Sequence, residues 1–270
     1  MLPYLINFDW IKISAFGTFF ALAFMVGLFI SWREARDKGL ADDRFFDASL
    51  VTVILSLAGA RIFYILSHWP DFANNLLKTF VIWRYPGLSF WGALVTGLTT
   101  GFILAKKHRL SLLKFADSLA VGGLYAYFIL YIGMFLDGSI TGRETNLSVG
   151  WYNVGVEGKR HLVALYGAIL ALIIILGQVF VKRRKVKPKP GIVFWVTLSA
   201  IGFAEFLLAF LRENLLYWGG LSIQLVLATV LLIVPWGPLF VMWDGKNALI
   251  SLFQSGKNTT GNFLRRIFKK

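Results

Sequence analysis

Seven sustained apolar runs, each near the ~20 residues needed to cross ~30 Å of hydrocarbon, constrain this 270-residue chain more than any motif in it. They span Ile13 to Trp32, Phe45 to Ser67, Leu88 to Ala105, Phe115 to Leu136, Leu162 to Val181, Gly191 to Leu211 and Leu221 to Trp243. With 57% hydrophobic and 16% charged residues, the bilayer stands in for a large aqueous core. The predicted fold is an all-α polytopic membrane protein of seven transmembrane helices.

Orientation follows from the cations between the runs. Twenty of the 28 Lys and Arg lie after the first, third and fifth runs and in the C-terminal tail, against seven at the N-terminus and in the other loops. Arg61, inside the second run, is the remaining one. This asymmetry predicts an N-terminus outside and a cytoplasmic C-terminus. A single membrane domain over 1–245 precedes a basic tail over 246–270, where GNFLRRIFKK alternates apolar and basic residues. That tail either rests on anionic lipid or is a frayed, solvated end. The first run lacks a basic segment before it and reads as a retained helix, not a cleaved signal. A net charge of +14 does not indicate nucleic-acid binding, because the basic residues form short blocks between apolar runs. With no cysteine and three scattered histidines, neither a metal site nor a cofactor is expected.

The most informative stretch is LYIGMFLDGSITGRETN, Leu130 to Asn146, where an apolar run ends in small and charged residues with no basic block. Gly133, Gly138 and Gly142 permit close backbone approach or sharp turns. Asp137, Arg143 and Glu144 place charge where a spanning helix leaves lipid. A mid-span cation such as Arg61 costs roughly 2.5–3.5 kcal/mol on insertion scales, so it faces a bundle interior, snorkels, or pairs with a carboxylate. Glu205 is either that partner or neutral, since a buried carboxyl without a cation stays protonated. Glu205 and Arg212 are seven residues apart and share a helix face. His161 opens the fifth run with Tyr166 shortly after it, and an imidazole there can act as a general base, bond a phosphate oxygen, or simply anchor the interface. The turn YPGLSFWGALVTG, from Tyr85 to Gly97, reads as a re-entry turn with a thin packing face.

The segments GARIFYIL at Gly59, GLSFWGAL at Gly87, IGMFLDGSITGRET at Ile132, RHLVALY at Arg160 and FLLAFLRE at Phe206, in this order, resemble the prolipoprotein diacylglyceryl transferase family. The resemblance implies a seven-span enzyme of the bacterial plasma membrane. It implies transfer of diacylglyceryl from phosphatidylglycerol to the thiol of a lipobox cysteine in a preprolipoprotein, with release of glycerol phosphate. Arginines suit the phosphate because their fork binds two of its oxygens. Arg143, Arg212 and His161 are then candidates for catalysis, and Arg61, Tyr131, Asp137, Trp91, Glu205 and Tyr166 for substrate binding. The chain departs from the family pattern at Trp91, where a histidine is usual, and at Tyr131 and Glu205, where arginines are usual. Ala93, Met134, Asp137, Ser139, Ala209 and Phe16 are further departures. Two other readings stay open: a non-catalytic member binding lipid or a lipoprotein signal segment, and a small transporter. The oligomeric state is not legible.

Overall fold

In the computed structural model, residues 4–7, 12–73, 75–79, 81, 85, 87–146, 150–152, 158–184, 188–213, 217–218 and 221–242 are described. The apolar runs fold as helices: α1 (Ala15–Asp37), α2 (Asp42–Ser67), α4 (Phe90–Lys107), α5 (Leu112–Asp137), α6 (Val163–Arg183), α7 (Ile192–Leu211), α8 (Ile223–Ile233) and α9 (Trp236–Met242). A short α3 (Trp69–Ala73) and one 3₁₀ turn (Leu76–Thr79) follow α2. Hydroxyl caps start α1 and α4: Ser14 Oγ accepts from Gly17 N at 3.0 Å, and Ser89 Oγ from Gly92 N at 3.2 Å.

Six stretches among the described residues are long and apolar enough to cross a membrane, namely α1, α2, α5, α6, α7 and Ile223–Met242. The run expected as the third span, Leu88 to Ala105, folds as the helix α4 but falls short of that hydropathy and is not among the six. Its 18 residues include three glycines, three threonines and a terminal Lys106–Lys107. The last expected run is interrupted where Pro235, lacking an N–H, cannot continue the ladder of α8. The expected basic tail and Pro86 of the expected re-entry turn lie outside the described residues. Not foreseen are three short antiparallel hairpins: β1 (Tyr4–Asn7) with β2 (Lys12–Ser14), β3 (Trp151–Tyr152) with β4 (Lys159–Arg160), and β5 (Tyr217–Trp218) with β6 (Leu221–Ser222).

α5 is the hub. It packs along α1 and against α6 and α7, α8 lies on α7, and α2 with α4 forms a second pair. Small residues permit these approaches, as is usual where lipid supplies no hydrophobic drive between helices. A Cβ on Gly122 of α5 would overlap the carbonyl oxygen of Gly27 in α1. On the other pair, Ser56 Oγ donates to the Ala93 carbonyl at 2.6 Å.

The lysine-rich end is closed by a buried carboxylate. Asp117 of α5 is 2% exposed, and its two oxygens accept from Gly191 N at 2.8 Å and Phe194 N at 2.7 Å, capping α7 from a neighbouring helix. Lys38 Nζ stands 3.7 Å away, and burial lowers its pKa although Asp117 opposes the shift. Lys182 joins Glu34 and Asp37 beside it. Asp117→Ala removes two charge-assisted bonds, so unfolding in detergent should show a loss of about 3 kcal/mol or more. Asp117→Asn, keeping one acceptor, should fall between.

Candidate functional site

At the opposite end, α5 and α7 share a polar cluster sunk in apolar surroundings. Tyr127 and Tyr131 lie one turn apart on the same face of α5. Both phenols donate to Glu205 Oε1 of α7, each at 2.7 Å. Tyr131 in turn accepts from Arg212 Nη2 at 3.2 Å, and Arg212 Nη2 stands 3.9 Å from Glu205 Oε2. Tyr131 and Glu205 are 3% and 7% exposed, so within this apolar packing the carboxylate rests on two phenol donors and a nearby guanidinium. Burial opposes the charge on Arg212, and the oxygens of Tyr131 and Glu205 more than offset it, holding its pKa above the ordinary value. Arg212 Nε is buried with no hydrogen bond among the described residues.

The sequence places these groups for local reasons. Arg212 is the residue at which α7 leaves helical geometry, with φ −84° and ψ 141°, so its side chain turns back along the last two turns toward Glu205. Tyr131 sits flat against α6 because position 167 is glycine; a Cβ there would overlap the ring. Val163, Ala164, Ala168, Ala171 and Leu208 complete the apolar packing around the two tyrosines.

Above the cluster the extended backbone of Thr141 to Thr145 runs between two other segments. Arg143 N donates to the Leu211 carbonyl at 2.8 Å, and His161 N to the Arg143 carbonyl at 3.0 Å. Glu213 N reaches the Thr141 carbonyl at 3.1 Å, and Thr145 N the Lys159 carbonyl at 2.9 Å. Gly142 is needed at this crossing, since a Cβ would overlap the His161 carbonyl. Arg160 bonds Glu213 at 3.0 Å, tying β4 to the end of α7. A hollow beside the crossing is lined by Met134, Phe135, Trp151, Arg160, His161 and Val163.

The predicted residues therefore divide. Arg212, Tyr131 and Glu205 converge. Arg143 and His161 are joined to them through the backbone crossing; the Arg143 side chain is exposed, and the His161 ring lies edge-on to Tyr166 with centroids 6.2 Å apart. Trp91, in the first turn of α4, reaches the cluster only through Phe90, whose ring is 5.2 Å from Trp91 and 6.0 Å from Tyr127. Asp137 ends α5 before Gly138, which takes φ +74°. The expected Arg61–Glu205 pair is not formed. Arg61 instead donates to the carbonyls of Thr79 at 3.2 Å and Gly87 at 3.0 Å and lies over the rings of Tyr64 and Phe72. Carbonyls of the 3₁₀ turn and of the segment before α4 thus receive the guanidinium where Glu205 was expected to. Tyr127 was missed; the spacing YAYFILY, with tyrosines four apart facing one way, is the signal for it.

The family model for prolipoprotein diacylglyceryl transferase matches residues 3–242. A phosphatidylglycerol–prolipoprotein diacylglyceryl transferase of Clostridioides difficile (strain 630) is 30% identical over 220 residues, 82% of this chain and 87% of the relative. The chain belongs to the prolipoprotein diacylglyceryl transferase family. Relatives of the same name from Tropheryma whipplei (strain TW08/27) and Nostoc sp. (strain PCC 7120 / SAG 25.82 / UTEX 2576) are 34% identical over 210 residues and 27% over 270. The former alignment covers 72% of this chain and 76% of the relative, the latter 95% of each. In this diacylglyceryl transferase family member, a phenol and a carboxylate stand at the two positions where the family pattern has arginines. The structure shows what they do together: they bracket Arg212.

Proposed function

We propose that this protein moves diacylglyceryl from phosphatidylglycerol, or another anionic phospholipid, to a lipobox cysteine thiol of a preprolipoprotein. It does so in a bacterial plasma membrane, crossing it seven times with the N-terminus outside and the site facing the exterior. The observation that carries this reading is a guanidinium, Arg212, held at the membrane end of α5 and α7 with a second, Arg143, on a backbone segment hydrogen-bonded to the same turn. Two such forks suit a phosphodiester held against apolar walls that take its acyl chains. His161, at the rim of the adjoining hollow, is placed to donate to a phosphate oxygen. The test is transfer of an acyl-labelled phosphatidylglycerol from vesicles to a synthetic lipobox peptide by purified protein; absence of a thioether product would refute the reading.

Arg143 offers a clean variant, because its side chain is exposed and makes no ion pair among the described residues. Arg143→Ala is expected to lower transfer by ~10²-fold or more through loss of an electrostatic contact, with an unchanged melting temperature. A second reading, a non-catalytic lipid or signal-segment binder, draws on the self-satisfied state of Glu205, which already has two phenol donors and a cation nearby. The same assay separates the two: a binder retains labelled lipid or peptide and releases no glycerol phosphate.

A further inference from the structure

Displacement at a glyceryl carbon by a thiol needs a proton acceptor within reach of the cation that receives the leaving phosphate, since reacting atoms must come to ~3–3.5 Å of each other. Around this site the carboxylates have different fates. Glu213 is committed to Arg160 and half exposed, Glu144 is exposed, and Asp137 lies six residues beyond Tyr131, ~9 Å further along α5. Glu205 differs from all of them. Its Oε1 is saturated by two phenols, while its Oε2 makes no hydrogen bond among the described residues and stands 3.9 Å from Arg212.

We infer that Glu205 is the group that takes up the proton of the incoming thiol. This rests on the transferase reading above. A proton added to Oε2 leaves both phenol bonds to Oε1 in place, so the carboxyl group need not reorient to accept it. Neutralising Glu205 also frees Arg212 from its only nearby anion among the described residues. The guanidinium is thereby released to the phosphate at the moment that group gains charge.

The step balances as follows. The S–H proton passes to Glu205 Oε2, and the sulfur lone pair forms the C–S bond to the glyceryl carbon bearing the diacyl unit. The C–O bond to the phosphate breaks, and its electron pair leaves with glycerol phosphate, which goes from a monoanionic diester to a dianionic monoester beside Arg212. The proton then leaves Glu205 for the departing phosphate or water, restoring the starting state.

The experiment compares the full-length protein and Glu205→Gln in phosphatidylglycerol vesicles, using a lipobox peptide with cysteine or with selenocysteine at the acceptor position. Among the described residues, the charged and titratable groups facing Glu205 are Tyr127 and Tyr131 from α5 and Arg212 from the end of α7; α6 faces the cluster with Gly167, Ala164 and Ala168. For the cysteine peptide, kcat is expected to fall ~10²- to 10⁴-fold in Glu205→Gln with KM little changed. The selenocysteine peptide, already ionised near neutrality, should recover most of that loss, which a merely structural role of Glu205 would not allow. Equal losses with both peptides, or a kcat within about threefold of the unaltered protein, would overturn the inference. Should Glu205→Gln not fold, Glu205→Asp is expected to lower kcat for the cysteine peptide more than for the selenocysteine peptide, and equal losses with both would be equally fatal. If the unaltered protein transfers nothing, the transferase reading fails first; an active Glu205→Gln removes this inference alone.

Discussion

Arg212→Ala is expected to lose transfer activity and stability together. Among the described residues the guanidinium is the one cation bonded directly into the Tyr131–Glu205 cluster, so its removal should lower the transfer rate by ~10²- to 10³-fold, the range for one preorganised electrostatic donor. It also leaves Glu205 buried with two phenols and no cation. Breaking a buried pair from one side costs about 3–5 kcal/mol, because the remaining charge is uncompensated. Thermal unfolding in detergent should register that as a lower Tm. Arg212→Ala combined with Glu205→Gln should recover much of the stability and none of the activity. A double variant no more stable than Arg212→Ala alone would show that the two residues do not interact across the fold.

Gly167→Ala tests the same cluster by volume instead of charge. The added methyl would occupy the space of the Tyr131 ring, and the neighbouring Ala164 and Ala168 leave the ring little room to move without disturbing α6. Overpacking of this kind costs about 1–3 kcal/mol. Its functional cost should be larger, since Tyr131 carries bonds to both Glu205 and Arg212. Transfer is expected to drop ~10²-fold or more, on the scale of a displaced positioning group. Pairing Gly167→Ala with Tyr131→Ala should give less than the sum of the two separate losses, because both act through one ring. Additive losses would place the effect of Gly167 elsewhere.

What the sequence made legible follows the physics of each feature. Helices announced themselves because a lipid-facing segment must be apolar over its whole length, and α1, α2, α5, α6 and α7 all lie close to their predicted spans. The Glu205–Arg212 relation was readable because heptad spacing puts two side chains on one face of a single helix. Pairings across helices were not readable in that way. Arg61 was assigned the wrong partner because backbone carbonyls carry no residue-type signature, and two of them, at Thr79 and Gly87, accept from it. Asp117 escaped notice for a similar reason: its partners are the free N–H groups of α7, 74 and 77 residues away, and any sequence could supply those. The crossing at Gly142 likewise depends on which strands meet, and only the non-local contacts with Leu211 and His161 reveal it.

The modest hydropathy of α4 bears on how such a chain could be assembled. A segment carrying three threonines and two lysines in 18 residues partitions weakly by itself, yet it meets α2 through Ser56 and the glycine-lined face near Gly59 and Gly92. For the seven-span arrangement proposed here, α2 would act as an intramolecular chaperone, already lodged in the bilayer when α4 emerges from the ribosome. Bulky residues at Gly59 would then be felt during biogenesis, as failure of α4 to enter the membrane, before any mature enzyme existed to be destabilised.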